Sequence, residues 1–178
     1  MAKPTLKPEM AKPSSEIATV LVPIDFSPCS LEAYGMALSI ARRYDAELRL
    51  LHVVDTRMLA AMEHLGIPLP AGQIKKIRHR VRLSFRGLME SEKGVKMRRT
   101  IAEGAPFTEI MRQARTEKVD LIVIGTYGGR TGELEKIFFG STAEKVVRAS
   151  PCPVLCVPLR GPGAEKSEGA TERGGARA

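Results

Sequence analysis

Short β-branched apolar runs alternate along this chain with stretches whose apolar residues recur every three or four positions, and that alternation constrains the fold more than any other feature. Thr19-Val20-Leu21-Val22-Pro23-Ile24 is the first run, and Asp25 ends it. Ser27 then offers an N-cap oxygen, Pro28 suits the first helical position, and Ala33, Ala37, Ile40, Ala41 and Tyr44 fall at helical spacing. Leu48 to Val54 reads as a second strand, closed by Asp55. The stretch that follows, with Gly66, Pro68, Pro70 and Gly72, reads as a loop. Ile74, Ile77, Val81, Phe85 and Leu88 then trace one apolar stripe on a basic helix. Val95 to Ile101 has strand character, and Phe107, Ile110, Met111 and Ala114 mark a helix with Pro106 at an early turn position. Val119 to Ile124 is a fourth strand running directly into Gly125. Gly140-Ser141 opens a last helix, in which Ser141 and Glu144 are expected to form a capping box. Ser150-Pro151-Cys152-Pro153 ends that helix, and Val154 to Val157 is a fifth strand.

Such alternation demands parallel strands joined by right-handed crossovers, with helices on both faces. The expected class is α/β, doubly wound, with five strands and four helices. Ligands in such sheets lie outside the carboxyl ends of strands, where strand order reverses. Asp25 and Gly125 both stand at carboxyl ends.

The 178 residues suit one domain, expected over 16–159. Residues 1–15, with Pro4, Pro8 and Pro13, are expected to form a flexible arm; 160–178, almost without apolar residues beyond alanine, a disordered tail. No window is apolar enough for a membrane span and Met1-Ala2-Lys3-Pro4 leads into no signal core, so the expected location is the cytoplasm. Cys29, Cys152 and Cys156 with His52, His64 and His79 match no disulfide framework or zinc pattern, and the cysteines are expected as buried thiols with no redox partner. The formal charge of +8 is local: ten Lys or Arg residues stand between Gln73 and Arg99 against Glu90 and Glu92. A solvated face is the default reading of that segment. Its alternative is a docking surface for an acidic protein, an anionic membrane or a nucleic acid. Aromatics are not interleaved among its outer charges, so single-strand stacking is unsupported, and nucleic acid is the least expected partner.

A phosphate needs converging N–H donors, and backbone without side chains can approach closely enough to supply them. Gly125, Gly128, Gly129 and Gly132 crowd eight positions after the fourth strand. The last helix adds free N–H groups and the Ser141 and Thr142 hydroxyls, which makes Gly140-Ser141-Thr142 the candidate phosphate seat. Against this stands the plainer reading that the glycines serve turns and Ser141 a cap. Arg130 is placed either to pair with a phosphate oxygen or simply to be solvated. Asp25 would either face the ligand or cap the start of its own helix.

Val20-Leu-Val-Pro-Ile-Asp-Phe-Ser27, Leu50-Leu-His-Val-Val54, Ala102-Glu-Gly-Ala-Pro106, Asp120-Leu-Ile-Val-Ile-Gly-Thr126 and Gly140-Ser-Thr-Ala-Glu-Lys-Val-Val147 with Pro151-Cys-Pro-Val-Leu155 occur in this order. Over about residues 17–158 the chain thereby resembles the universal stress proteins. The resemblance implies a single five-stranded parallel sheet of order 3-2-1-4-5. It implies a cytoplasmic homodimer paired through Val154–Val157, which acts as an ATP or adenine-nucleotide sensor toward a regulatory protein partner. Pro23, Ile24, Asp25 and Val53 would border adenine and ribose; Gly125, Thr126, Gly128, Gly129, Arg130, Gly140, Ser141 and Thr142 would hold ribose and phosphates. The family's glycine frame is Gly-x2-Gly-x9-Gly-Ser/Thr, whereas this chain reads Gly125-x2-Gly128-x11-Gly140-Ser141, two residues longer. Gly129 and Glu133 are the proposed insertions. A dimeric interaction module without nucleotide is the alternative. No catalytic or metal-ligating residue is expected, because Asp25 has no second carboxylate beside it to hold Mg²⁺; any magnesium would arrive on the phosphates.

Overall fold

A computed structural model describes residues 17–67, 72–127 and 140–159. The expected arm, the C-terminal tail beyond 159, and Gly128, Gly129, Arg130, Gly132 and Glu133 lie outside the described residues. The elements are β1 (Thr19–Pro23), α1 (Pro28–Tyr44), β2 (Glu47–Asp55), α2 (Thr56–His64), α3 (Gln73–Glu90), β3 (Met97–Gly104), α4 (Pro106–Thr116), β4 (Leu121–Gly125), α5 (Ser141–Ala149) and β5 (Val154–Val157).

The five strands form one parallel sheet in the order β3-β2-β1-β4-β5. Alternate residues of a strand point to opposite faces, and because helices cover both, β1 and β4 at the middle of the sheet are apolar along nearly their whole length. Val20 and Val22 pack with Ala33, Ala37, Phe85 and Val123 on the face covered by α1 and α3. Leu21 and Leu51 pack with Ile110, Met111, Ala143 and Val146 on the face covered by α4 and α5. The apolar stripe of α3 lies as its spacing predicts, with Val81 and Phe85 buried. In α1 the exposed Tyr44 falls outside the buried face, which takes Tyr34 and Leu38 instead.

Two expectations are corrected. The stretch after Asp55 begins as a helix, α2, capped by Asp55, whose side chain accepts the Arg57 amide. The capping box at Ser141 does not form: Gly140 is the N-cap and no side chain caps the helix. Ser141 therefore occupies the first helical position, and Glu144 falls one place past the position a capping box needs. The cysteines divide: Cys29 is buried, whereas Cys152 and Cys156 are half-buried, with burial pushing both of their thiols up.

Tyr34 ties α1 to α3 by donating from its hydroxyl to the Leu88 carbonyl at 3.0 Å. Burial, reinforced by the Glu92 carboxylate, pushes its phenol up from 10.0 to about 12. The folded state thus keeps a proton that the unfolded chain releases at lower pH, and stability falls as pH rises from 10.0 toward about 12. Tyr34→Phe should cost about 1 kcal/mol near neutral pH and lose that alkaline component, which thermal melts of both proteins across the range will measure.

Candidate functional site

β1 is flanked by β2 on one side and β4 on the other, so strand order reverses between β1 and β4. A cavity of about 350 Å³ opens there, beyond their carboxyl ends. Its floor and one wall are apolar, from Pro23, Ile24, Leu51, Val53, Ile124 and Ile110. Gly125 and Tyr127 continue the lining past β4, Pro106 supplies the start of α4, and Gly140, Ser141, Thr142 and Ala143 the start of α5. Asp25, exposed at the rim, is the one carboxylate of the lining among the described residues.

The turn that presents Asp25 is held from several sides. The Ile24 amide donates to the Leu51 carbonyl at 2.8 Å, and the Ile24 carbonyl lies 2.7 Å from His52 Nδ1. A carbonyl only accepts, so Nδ1 carries the hydrogen in that contact. Phe26 adopts φ +64, a left-handed conformation unusual for a side chain of its size. Its ring is fixed between His52 and Phe85, with centroids 5.5 and 5.4 Å away. Asp25 Oδ1 accepts the Ser27 amide at 2.9 Å, and Ser27 Oγ accepts the Ser30 amide at 3.3 Å. Both readings of Asp25 are thus compatible with its place: one oxygen shapes the turn, and the residue still lines the cavity.

At the opposite rim, the Gly140 amide donates to the Thr126 carbonyl at 2.7 Å and is not available to a ligand. The first intrahelical donor of α5 is Glu144, bonded to the Gly140 carbonyl at 3.0 Å. The amides of Ser141, Thr142 and Ala143 therefore have no partner within the helix, and they stand at its positive end against the cavity. With the capping box absent, the Ser141 hydroxyl is not committed to its own helix.

A profile of the universal stress protein family matches residues 16–158. The chain belongs to the universal stress protein family. A universal stress protein of Methanocaldococcus jannaschii is 38% identical over 138 residues, covering 78% of this chain and 80% of that one. The solved universal stress protein of Lactobacillus plantarum is 26% identical, with a TM-score of 0.62 over 80% of this chain and 99% of that one. Another universal stress protein structure, in complex with cAMP, is 24% identical with a TM-score of 0.56, covering 82% of this chain and all (100%) of that one.

In this universal stress protein, Pro23, Ile24, Asp25, Val53, Gly125, Gly140, Ser141 and Thr142 come together around one cavity. Thr126 does not join them. Its amide donates to the Val157 carbonyl at 3.1 Å, and its hydroxyl lies 3.8 Å from Cys29 Sγ, so it ties β4 to β5 and α1. Gly128, Gly129 and Arg130 lie outside the described residues. Sequence reasoning passed over Tyr127, Pro106 and Ile110 as site residues. Pro106 and Ile110, one helical turn apart, were legible as a face of α4, but nothing local turns that face toward β1 and β4.

Gly125 has a structural role of its own. A Cβ built on it would lie 2.9 Å from the carbonyl carbon and oxygen of Cys29 and 3.1 Å from its Sγ. The atoms in the way are mostly backbone and cannot swing aside. Gly125→Ala should therefore displace the start of α1 from β4 and lower stability by about 1–3 kcal/mol, as read by chemical denaturation. An unchanged denaturation midpoint would contradict this close approach.

Proposed function

We propose that this protein binds ATP, or another adenine nucleotide, in the cavity between β1 and β4, and that as a homodimer it engages a regulatory protein partner according to occupancy. The observation that carries this reading is the pairing of an apolar slot with three amides at the α5 N-terminus that have no partner among the described residues. Pro23, Ile24 and Val53 suit the faces of a purine, with Asp25 at the rim able to accept from an amino or hydroxyl group. The Ser141, Thr142 and Ala143 amides and the two hydroxyls suit phosphate oxygens. Magnesium would enter with the phosphates. A relative of the same fold binds cAMP, so the fold admits an adenine ligand; for this chain the support is its own cavity.

Binding without fast hydrolysis fits the residues present. Transfer of a phosphoryl group to water needs an oriented attacking molecule, and the single carboxylate of the described lining has one oxygen engaged by Ser27. The glycine frame, two residues longer than the family pattern, is what a non-binding interaction module would rest on.

Gly140→Asp separates these readings. Gly140 is an N-cap with φ −61 and ψ 142, a conformation and position that aspartate favours, so the helix should keep its start. A carboxylate there would repel phosphate, and such like-charge contacts cost several kcal/mol, at least a hundredfold in affinity. Calorimetric titration with ATP should show binding to wild type and about a hundredfold loss in the variant. No binding to wild type at millimolar ATP would leave the interaction module.

The dimer would pair through β5, which lies at a sheet edge and exposes Leu155. Sedimentation at micromolar concentration should give a dimer for wild type and a monomer for Leu155→Lys; a wild-type monomer would refute the pairing.

A further inference from the structure

The cations of residues 73–99 divide into two sets. Arg78 pairs with Glu103 at 2.6 Å, Arg98 with Glu47 at 2.7 Å, and Lys96 with Asp45 at 3.4 Å. The other seven of the ten have no carboxylate within 4.0 Å among the described residues, and all seven are exposed. They are not scattered. Lys75, Arg82 and Arg86 lie at helical steps of seven and four along one side of α3, spanning about 16 Å at 1.5 Å per residue. Arg99 extends this ridge from the neighbouring strand. On β3 it shares a face with Met97 and Ile101, which pack into the α1–α3 core, and its Nη1 reaches Met89 Sδ of α3 at 4.0 Å.

This arrangement works against the helix that carries it. Lys75 and Lys76 stand in the first turn of α3, where the positive end of the helix disfavours cations. No acidic residue shares that turn, no side chain caps it, and no basic residue occupies the last turn. Arg82 and Arg86, and Lys76 and Arg80, are like-charge pairs four apart, each destabilising by about 0.2–0.5 kcal/mol. A face shaped by folding alone would have the opposite polarity.

We infer that the outer face of α3, continued by Arg99, binds the phosphodiester backbone of a duplex nucleic acid. The occupant must be polyanionic and must not need an apolar anchor. The apolar side of α3 is spent on the sheet, where Val81 and Phe85 are buried, and Leu83 is the one large apolar side chain exposed on the helix. A lipid surface recruits a helix by inserting its apolar face, and a folded protein by buried aromatic or aliphatic anchors. Neither is on offer. A convex, arginine-rich row matches a linear array of phosphates, which guanidinium groups engage through two hydrogen bonds at a time. The surface borders β3, at the far edge of the sheet from β5, so a dimer paired through β5 would leave it open. It lies on the α1–α3 layer, whereas α4 and α5 line the nucleotide cavity.

The test is fluorescence anisotropy with labelled 20-base-pair DNA and RNA duplexes on the full-length protein. Wild type should bind both, and for about four phosphate contacts its affinity should fall about 100-fold between 50 and 200 mM salt. Lys75→Gln/Lys76→Gln/Arg82→Gln/Arg86→Gln should lose that binding and most of the salt dependence while its melting temperature holds or rises, because adverse charges are removed. Should this variant fold poorly, Arg82→Gln/Arg86→Gln reads the same surface at half the charge change. Arg115→Gln/Lys118→Gln/Lys145→Gln, taken from the other layer, should bind nearly as wild type. No duplex binding at 50 mM salt would overturn the inference. So would equal losses in the two sets of variants, or binding to phosphatidylserine vesicles without binding to duplex.

Discussion

The cavity depends on a contact made without a side chain. The Gly125 backbone and the Cys29 backbone lie closer than any Cβ would allow, which brings the start of α1 against the end of β4. Around that contact Cys29 Sγ donates to the Val157 carbonyl at 3.3 Å, the Thr126 amide donates to the same carbonyl, and the Thr126 carbonyl accepts from Gly140. Four elements are thereby fixed within a few residues of one another: α1, β4, β5 and the start of α5. The gap between β1 and β4 is left with rigid sides, and the first amides of α5, which have no partner within the helix, are aimed by a bond at the residue just before them. Glycine at 125 is thus explained by packing before any ligand is considered.

The strand order came from the resemblance to the universal stress proteins and not from the apolar runs themselves, whereas the parallel α/β class was legible because β1 and β4 are continuous apolar runs and the separating helices carry their own period. The same holds for the α3 stripe and for the Ser27 cap, which accepts its expected amide. The signal fades at α2: Asp55 was read only as the close of β2, whereas its side chain also caps this helix, and Gly66, Pro68, Pro70 and Gly72 downstream pointed to a loop. The capping box failed by one residue, because Gly140 rather than Ser141 leaves the helix with extended backbone. Sequence spacing marks a helix start but does not decide which of two adjacent small residues stands at the boundary.

Several of the residues singled out in the sequence line one cavity, but the part each plays there did not follow from the sequence. Gly140 stood out as a candidate phosphate neighbour, yet its amide is consumed by Thr126, and it is the three amides after it that have no partner within the helix. Thr126 adjoins the glycine run but turns to Cys29. Tyr127, Pro106 and Ile110 come from segments that meet only once the sheet has formed, so no local pattern announces them. Likewise, the local excess of positive charge was visible in the sequence, but which cations are neutralised by Glu47, Asp45 and Glu103 follows from the pairing of β2 with β3 and the packing of α3 beside them.

Phe26 holds a left-handed backbone that glycine would adopt with less strain, and its ring is clasped between a strand and a helix. A glycine in its place would relieve the torsion and set the loop wandering. As built, the unfavourable torsion is met when the chain folds, so the rim carboxylate is already posed before any guest arrives. The entropy of arranging that rim is charged to the core, and on this side of the cleft any recognition would resemble a key entering a cut lock more than a hand closing.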